Sequence, residues 1–301
     1  MNTFPSSTFF SASPEWGWLI VFYFFFGGLA GGSYFLAILM DLFSRQEDRS
    51  LARLGYYISF PCILISGLLL TMDLGRPMRF WHMLLQSNTY QPIFKPWSPM
   101  SVGSWALLIF GVFSLLSFLS ALVEDGRLQW PAARSLRPPG VLGSMVAGIG
   151  GLFGFYVAGY TGVLLAVTNR PIWSDTPLLG MLFVVSAASI SAATMILLAQ
   201  KSGRSAPAVS ALHRLDSWVV ALELVVLIAV MISLGPVFRA WLNAWGLVLF
   251  FGVIVLGMLF PLALSWRRQW LGNLNLTAAA AAVLAGGFIL RLVIVFSAQG
   301  V

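Results

Sequence analysis

The chain has 301 residues, of which 59% are hydrophobic and only 9% are charged, and its mean hydropathy is +0.88. Soluble domains carry about 25% charged residues, so this composition excludes an ordinary soluble protein and indicates an integral membrane protein. The net charge of +7 is explained by orientation in the bilayer, and no nucleic-acid partner is expected.

Eight apolar runs are long enough to cross about 30 Å of hydrocarbon, which takes roughly 20 helical residues. They cover approximately residues 18–41, 54–73, 101–123, 141–167, 178–199, 216–236, 243–265 and 276–297. Transmembrane strands are excluded, because barrels are built from short alternating segments. The segment before the first run has no positive n-region and no cleavage site, so no removable signal peptide is expected. The sequence therefore predicts an all-α integral membrane protein with residues 1–301 as one transmembrane domain.

The basic residues predict the orientation of these helices. With the N-terminus outside, eleven basic residues fall on the inside, five on the outside and one within helix 8. The inside set is Arg45, Arg49, Arg53, Arg127, Arg134, Arg137, Lys201, Arg204, Arg214, Arg267 and Arg268, and the outside set is Arg76, Arg79, Lys95, Arg170 and Arg239. Because basic residues collect on the cytoplasmic side, both termini are expected outside a bacterial cytoplasmic membrane.

The second helix ends in "TMDLGRPMRFWHML", residues 71–84. Helix 4 ends in the similar "TGVLLAVTNRPIW" and helix 6 in "LGPVFRAW". In each, proline stops the helix, arginine reaches the headgroups and tryptophan joins an interfacial aromatic belt. This anchoring role is favoured for Trp81, Trp173 and Trp241.

Anchoring does not explain the acids and the histidine near these helix ends. A quinol site needs donors for two carbonyl oxygens and a base near water that accepts protons. The candidate set is Asp73, Arg76, Arg79, His82, Tyr160, Arg170 and Asp175, with His82 and Asp73 as the proton acceptors. A structural salt-bridge network between Asp73 and the arginines is an equal alternative for any single residue.

Two charged residues fall inside helices, where insertion costs about 2.5–3.5 kcal/mol each. Glu223 lies in helix 6 beyond Asp216, and both are candidates for a proton path from the inner side. Arg291 lies in helix 8 and could neutralise an acid or polarise a quinone oxygen. Their inferred depths differ by several turns, so Glu223 and Arg291 are not expected to pair. A neutral Glu223 hydrogen-bonded between helices is an equal alternative.

Helix 1 contains "GGLAGG", with small residues four apart at Gly27/Gly31 and Gly28/Gly32. Such pairs let helix backbones approach closely, so their expected use is packing.

Redox centres held by this chain are not expected. His82 and His213 are its two histidines and fall on opposite sides of the membrane, which argues against an intramembrane bis-histidine haem. Cys62 is the single cysteine, so an iron-sulfur cluster has too few ligands.

Several ordered motifs together resemble the NrfD/PsrC family of quinone-interacting membrane subunits. They are "YFFFGGLAGGSYFLA", "DLGRPMRFWHML", "SPMSVGSW", "GYTGVLLAVTNRPIWSDTPLLGMLF" and "GGFILRLVIVFSAQG", and they cover nearly the whole chain. The resemblance implies two four-helix bundles without a redox centre, exchanging electrons between diffusible menaquinone or ubiquinone and a ferredoxin-like iron-sulfur subunit on the outer face. A molybdopterin enzyme or multihaem cytochrome is the implied further partner.

The resemblance implies a quinol site near the outer face, with Asp73, Arg76, His82, Tyr160 and Asp175 as candidates and Arg291 as a further one. Polysulfide reductase members also supply polar side chains from the outer end of helix 1. That end here offers no Asn or His, so Glu15 or Tyr23 would have to substitute.

The leading hypothesis is therefore a quinone-binding subunit of a membrane oxidoreductase that is not catalytic alone. A transporter or an ion- or proton-translocating protein is one alternative, suggested by eight helices and two intramembrane charges. A purely structural membrane anchor for a peripheral enzyme is another.

Overall fold

The computed structural model describes residues 15–43, 49–202, 206–266 and 274–299. Within these ranges eight helices are long and apolar enough to cross a membrane, which confirms the predicted fold class. They are α1 (Trp18–Phe43), α2 (Arg49–Asp73), α3 (Pro99–Glu124), α4 (Val141–Ala166), α5 (Leu179–Lys201), α6 (Ala206–Ser233), α7 (Ala244–Trp266) and α8 (Asn275–Ser297). Over Leu249–Leu259, α7 widens to π-type hydrogen bonding.

The helices form two four-helix bundles, α1–α4 and α5–α8, and α5 packs against both α1 and α4 to join them. Both described ends of the protein lie at one face of the molecule. The backbone N–H of Trp16 donates to Gln299 Oε1 (3.1 Å), and Gln299 Nε2 donates back to the Trp16 carbonyl (2.8 Å). We call this end the terminal face and the other end the opposite face.

Glycines permit the closest helix contacts of α1. A Cβ at Gly31 would lie 2.2 Å from the Gly154 carbonyl oxygen of α4, and one at Gly32 would lie 2.5 Å from the Ala187 carbonyl oxygen of α5. Only a residue without a side chain lets these backbones approach so closely. Packing is therefore the use of Gly31 and Gly32, as their spacing predicts, and α1 becomes the shared wall of the two bundles.

Two helix starts differ from the hydropathy prediction. α6 begins at Ala206 instead of near 216, and α2 begins at Arg49 instead of near 54. The extra turns contain residues such as Arg53 and Arg214, which lower the hydropathy without interrupting the helix. Hydropathy measures the span inside hydrocarbon, whereas backbone hydrogen bonding continues beyond it.

The connection between α2 and α3 is folded over the terminal face. It contains a 3₁₀ helix at Pro77–Met83, and an isolated antiparallel bridge joins Leu85 to Pro92. The indole Nε1 of Trp105 donates to the Ile93 carbonyl (2.7 Å), which ties the connection to α3.

Candidate functional site

A narrow apolar cleft with a volume of about 30 Å³ lies between α1, α2, α3 and α4 near the terminal face. Its lining residues are Tyr23, Leu70, Leu74, Met83, Met100, Gly103, Ser104, Leu107, Tyr160 and Leu164. The Tyr160 hydroxyl donates to the Pro99 carbonyl (2.8 Å). The Tyr23 hydroxyl is buried and has no hydrogen-bond partner among the described residues. Two phenols are thus held on an otherwise apolar wall.

Gly103 is the reason that Tyr160 can lie across α3. A Cβ at Gly103 would sit 2.2 Å from the Tyr160 hydroxyl oxygen, so any side chain there would displace the phenol. Tyr160 is only 5% exposed, and its ring stacks on Tyr156 with centroids 5.6 Å apart. Helix packing therefore fixes the position of this hydroxyl.

Residues 71–84 border the cleft through their apolar members, Leu74 and Met83. The neighbouring Asp73 is exposed at the end of α2. His82 is half-buried, its ring stacks on Trp81 (3.8 Å), and its Nδ1 lies 3.0 Å from the Arg79 carbonyl.

Arg76 and Arg79 are exposed and line a shallow groove with Leu74 and Gly75. No basic side chain of the described residues lies within 4.0 Å of Asp73. The alternative of a salt-bridge network between Asp73 and the arginines is therefore wrong, because these side chains point into water where they gain little from pairing.

The α4–α5 connection forms a separate structure away from the cleft. Arg170 Nη1 donates to the Ala298 carbonyl (3.4 Å), and Trp173 Nε1 donates to the Ile294 carbonyl (2.7 Å). The exposed Asp175 accepts from the Ile172 backbone N–H (2.8 Å). Ile172 has a φ of 71°, which is costly for a β-branched residue, so this bond stabilises a strained turn. Arg170 and Trp173 thus tether the connection to the end of α8, Asp175 stabilises the turn within it, and neither Arg170 nor Asp175 lines the cleft.

The interpretation of Trp173 and Trp241 as interfacial anchors is wrong. Trp173 is fully buried and stacks on Trp16 (4.9 Å), and Trp241 is buried and donates to Ser297 Oγ (2.9 Å). Each indole finds a hydrogen-bond acceptor at the C-terminal end of α8, which favours burial over the headgroup region. Only Trp81 of the three is partly exposed.

Arg291 is fully buried where α8 meets α1 and α5. Its Nε donates to the Phe24 carbonyl (3.1 Å), and Nη1 donates to Ser186 Oγ (3.0 Å) and to the Gly287 carbonyl (2.6 Å). A Cβ at Gly28 would lie 2.9 Å from Nη2, so that glycine makes room for the guanidinium. Arg291 is therefore a link between the bundles and does not line the Tyr160 cleft.

Among the described residues no ion pair within 4.0 Å joins Glu223 to Arg291, as expected, but the two residues are closer in depth than expected. Both lie in the half of their helix nearer the terminal face, because α6 begins earlier than the hydropathy indicates. Arg291 donates to Ser186, and the Glu223 carboxyl faces the Ser186 and Ser189 hydroxyls and interacts electrostatically with Arg291. Asp216 is also buried and faces Ser189 and Glu223, but its Oδ1 and the Ser189 hydroxyl make no hydrogen bond within the described part of the protein. We call these five residues the polar column.

A buried ion cluster at the opposite face contains residues that sequence reasoning missed. Arg137 is 2% exposed. Its guanidinium donates two hydrogen bonds to Asp41 (2.5 and 2.7 Å) and a third to Glu124 (2.5 Å). Burial alone would lower the pKa of Arg137, but the hydrogen bonds to Asp41 and the charges of Asp41 and Glu124 outweigh burial and raise it. The sequence places Arg137 in a loop on the inside, where an exposed side chain is expected, so its burial was not predicted. The available signal was that Asp41 and Glu124, near the ends of α1 and α3, fall on the same side of the membrane as Arg137.

Polar side chains continue from this cluster into the first bundle. The Tyr56 hydroxyl donates to Asp41 (2.9 Å), and the Tyr34 hydroxyl is 2.7 Å from Ser117 Oγ. Ser59 and Ser114 are joined at 2.9 Å. This row was also not predicted, because single serines and tyrosines in apolar helices carry no distinctive pattern.

The described residues contain no group of three or more His, Cys, Asp or Glu that could hold a metal ion. His82 and His213 lie near opposite faces, after α2 and near the start of α6. Cys62 is a buried free thiol in α2.

The fold and site together define a multi-pass α-helical membrane protein with an apolar, phenol-bearing cleft near one face. Comparison of the sequence with known protein families identifies the family within this class. The model of the family described as "Polysulphide reductase, NrfD" matches residues 6–301. The protein therefore belongs to the NrfD polysulphide reductase family, as its motifs predict.

Similar proteins in bacteria agree with this membership. The sequence is 30% identical to the C chain of the polysulfide reductase of Wolinella succinogenes, over 94% of both proteins. It is 26% identical to protein NrfD of Escherichia coli, over 98% of both proteins. A shorter similarity, 30% identity over 34% of this sequence and 22% of the relative, connects it to the C subunit of the selenate reductase of Mesobacillus selenatarsenatis.

Proposed function

We propose that this protein is the quinone-binding membrane subunit of a multisubunit oxidoreductase in the bacterial cytoplasmic membrane. The observation that carries the proposal is the Tyr23 and Tyr160 pair on the apolar cleft. A quinone ring needs apolar surface and a few placed polar groups for its oxygens. The Tyr23 hydroxyl can donate to a ligand oxygen, whereas Tyr160, whose O–H donates to Pro99, offers its oxygen as an acceptor for a quinol O–H. A buried hydroxyl without a partner costs about 1–3 kcal/mol, and a ligand oxygen would remove that cost at Tyr23.

Quinol oxidation releases two electrons and two protons, and the protein's own side chains act on the protons. Asp73 and His82 directly adjoin the cleft-lining Leu74 and Met83, so they are the proposed proton acceptors between cleft and water. Arg76 is the proposed further contact at the exposed edge. Arg170, Asp175 and Arg291 do not line the cleft, and we propose that they act on the quinone only by holding the helices in place.

The electrons pass to clusters in a partner, because the single cysteine of this sequence is too few to hold an iron-sulfur cluster. A relative named as the C chain of a polysulfide reductase supports a place in a multisubunit reductase. The proposed partner is a ferredoxin-like iron-sulfur subunit on the terminal face, with a molybdopterin or multihaem subunit beyond it. The quinone is menaquinone or ubiquinone, and the same site serves quinone reduction when the partner supplies electrons.

The test is fluorescence quenching by a quinol analogue bound to the purified complex. Tyr160→Phe and Tyr23→Phe are expected to weaken binding about 3- to 10-fold, the equivalent of one neutral hydrogen bond of about 0.5–1.5 kcal/mol. Tyr156→Phe is the matched control, because Tyr156 stacks on Tyr160 without lining the cleft. Unchanged binding in both cleft variants would contradict the proposal.

The proton acceptors need a different readout. His82→Ala and Asp73→Asn are expected to slow quinol oxidation and change its pH profile while the complex stays assembled. Loss of assembly without a change in the pH profile of the remaining activity would indicate a structural role instead.

We propose proton translocation as a second function, supported by the polar column from Asp216 through Glu223 to Arg291. In proteoliposomes, Glu223→Gln should abolish proton uptake coupled to quinol turnover and leave analogue binding intact. If Glu223→Gln turns over quinol with undiminished proton uptake, the polar column has a structural role and does not carry protons.

A further inference from the structure

The protein has a second, larger cavity on the lipid-facing side of the second bundle near the opposite face. It has a volume of about 800 Å³ and lies between α6 and the last turns of α7. Its lining residues are His213, Arg214, Ser217, Trp218, Ala221, Leu259, Leu262, Ala263, Ser265 and Trp266. The volume is within the range of about 300–1,000 Å³ typical of small-molecule sites.

The cavity is polar at the end nearer the opposite face and apolar toward the middle of the membrane. Ser265 Oγ lies 3.3 Å from His213 Nε2 and 3.0 Å from Ser217 Oγ, so hydroxyls and an imidazole bridge α6 and α7. Leu259 and Ala263 continue the lining toward the middle of the membrane. This gradient matches an amphiphile with a polar head and a hydrocarbon tail.

Two tryptophans mark the depth of the polar end. Trp218 is 79% exposed and Trp266 is 94% exposed, although the buried Trp173 shows that this protein can pack indoles internally. Exposed tryptophans of membrane proteins concentrate at the level of the lipid headgroups. The polar end therefore lies where a phospholipid carries its phosphate.

The charge around this end is positive and has no acidic counterpart. From residue 176 to the end of the sequence the acids are Asp216 and Glu223, and both are buried in the polar column. Arg214 is exposed at the cavity and forms no ion pair with a carboxylate among the described residues. Lys201, exposed at the end of α5, is a further basic residue at this face. In the first bundle, by contrast, Asp41 and Glu124 neutralise Arg137.

We propose that this cavity binds an anionic phospholipid, with its phosphate at Arg214 and an acyl tail along Leu259 and Ala263. The Ser217 and Ser265 hydroxyls already donate to the His213 and Pro261 carbonyls, so Arg214 is the donor that recognises the phosphate. A phosphate accepts hydrogen bonds from a guanidinium, and basic pockets between helices favour anionic over zwitterionic headgroups. The site is separate from the Tyr160 cleft and does not depend on quinone binding there.

Native mass spectrometry of the delipidated full-length protein in detergent tests this proposal, with phosphatidylglycerol and phosphatidylcholine as the probes. Wild type should bind phosphatidylglycerol more tightly than phosphatidylcholine. Arg214→Gln should weaken phosphatidylglycerol binding about fivefold, the ratio for about 1 kcal/mol per basic residue near anionic lipid, and Arg214→Lys should restore much of it. Arg239→Gln removes an exposed arginine at the terminal face and should change nothing.

A second pair of variants tests the hydrocarbon part of the cavity. Ala263→Trp fills it and should lower the binding of both lipids, whereas Val225→Trp adds the same ring at a lipid-facing position outside it. The Arg214 pair decides the proposal by itself if Ala263→Trp does not fold.

Three results would overturn the proposal. One is equal affinity for the two lipids, and another is wild-type binding by Arg214→Gln. The third is displacement of bound phosphatidylglycerol, either by inorganic phosphate, which would indicate a free-anion site, or by a short-tailed quinone analogue, which would indicate a quinone site.

Discussion

At the residue scale, the buried guanidinium groups of Arg137 and Arg291 are each held by several partners. Arg137 uses two carboxylates at the opposite face, whereas Arg291 uses two backbone carbonyls and one serine deep between the helices. A buried guanidinium is stable only when such partners replace water. Removing one partner therefore lowers the free energy of unfolding by more than the lost hydrogen bonds alone, because the remaining charge stays buried without compensation.

Arg137→Gln is expected to lower the free energy of unfolding by about 3–5 kcal/mol, since it leaves Asp41 buried without its cation. Denaturant or thermal unfolding in detergent measures this loss. Arg134→Gln, at an exposed position three residues earlier, is the control and should stay within about 0.5 kcal/mol of wild type. Equal stability of the two variants would mean that the ion cluster contributes nothing.

Arg291→Met is expected to cost about 3–5 kcal/mol when Glu223 is present, because an uncompensated acid and two carbonyls then remain buried. Combined with Glu223→Gln, the same change should cost less than the sum of the single losses. A double-mutant cycle of unfolding free energies measures the coupling, which we expect at about 0.5–3 kcal/mol. Strict additivity would show that the two charges do not interact.

At the element scale, backbone-to-backbone contact fixes α1 between the bundles, and the α4–α5 connection fixes α8. These contacts depend on missing side chains at Gly31 and Gly32 and on the buried indole of Trp173. The proposed quinone cleft is built on this packing, since α1 and α4 supply its two phenols. Loosening either contact should disturb the cleft from a distance.

Gly31→Val is expected to destabilise the protein by about 1–3 kcal/mol or more, because its Cβ would strike the Gly154 backbone at 2.2 Å. Gly27→Ala is the matched control in the same helix, since its Cβ would meet only side-chain atoms at 3.7 Å and beyond. Melting temperatures in detergent should separate the two variants. A wild-type melting temperature for Gly31→Val would contradict the close packing of α1 and α4.

Trp173→Phe should lose about 1 kcal/mol, because the Ile294 carbonyl is left without its donor in a buried site. Trp218→Phe changes the same residue type at a 79% exposed position and should leave the stability unchanged. Unfolding in detergent measures both. If the two losses were alike, Trp173 would be acting as an interfacial anchor after all.

At the scale of the whole molecule, the two faces differ in charge and in use. The terminal face carries the proposed quinone cleft, and the opposite face carries the ion cluster of the first bundle and the basic cavity of the second. The excess of basic residues predicts that the opposite face is cytoplasmic. The proposed partner subunit would then dock outside the cell membrane.

Single cysteines test this orientation. Ser87→Cys lies in the exposed α2–α3 connection at the terminal face, and Ser202→Cys is exposed at the end of α5 on the opposite face. A membrane-impermeant maleimide should label Ser87→Cys in intact cells and Ser202→Cys only after permeabilisation, while the buried Cys62 stays unlabelled. The reverse pattern would invert the topology.

The sequence alone determined the membrane class, the eight spans and the family, because the hydrocarbon thickness imposes a continuous apolar length that can be read locally. It also indicated Tyr160 and the packing use of Gly31. Tertiary structure decided which polar residues meet: Glu223 and Arg291 both approach Ser186, Arg137 is buried with Asp41, and Trp173 donates to α8. It also separated Asp73 from the arginines and Arg170 from the cleft. Such pairings join residues far apart in the sequence, and their geometry depends on helix rotation and depth, which a local pattern of hydropathy does not encode.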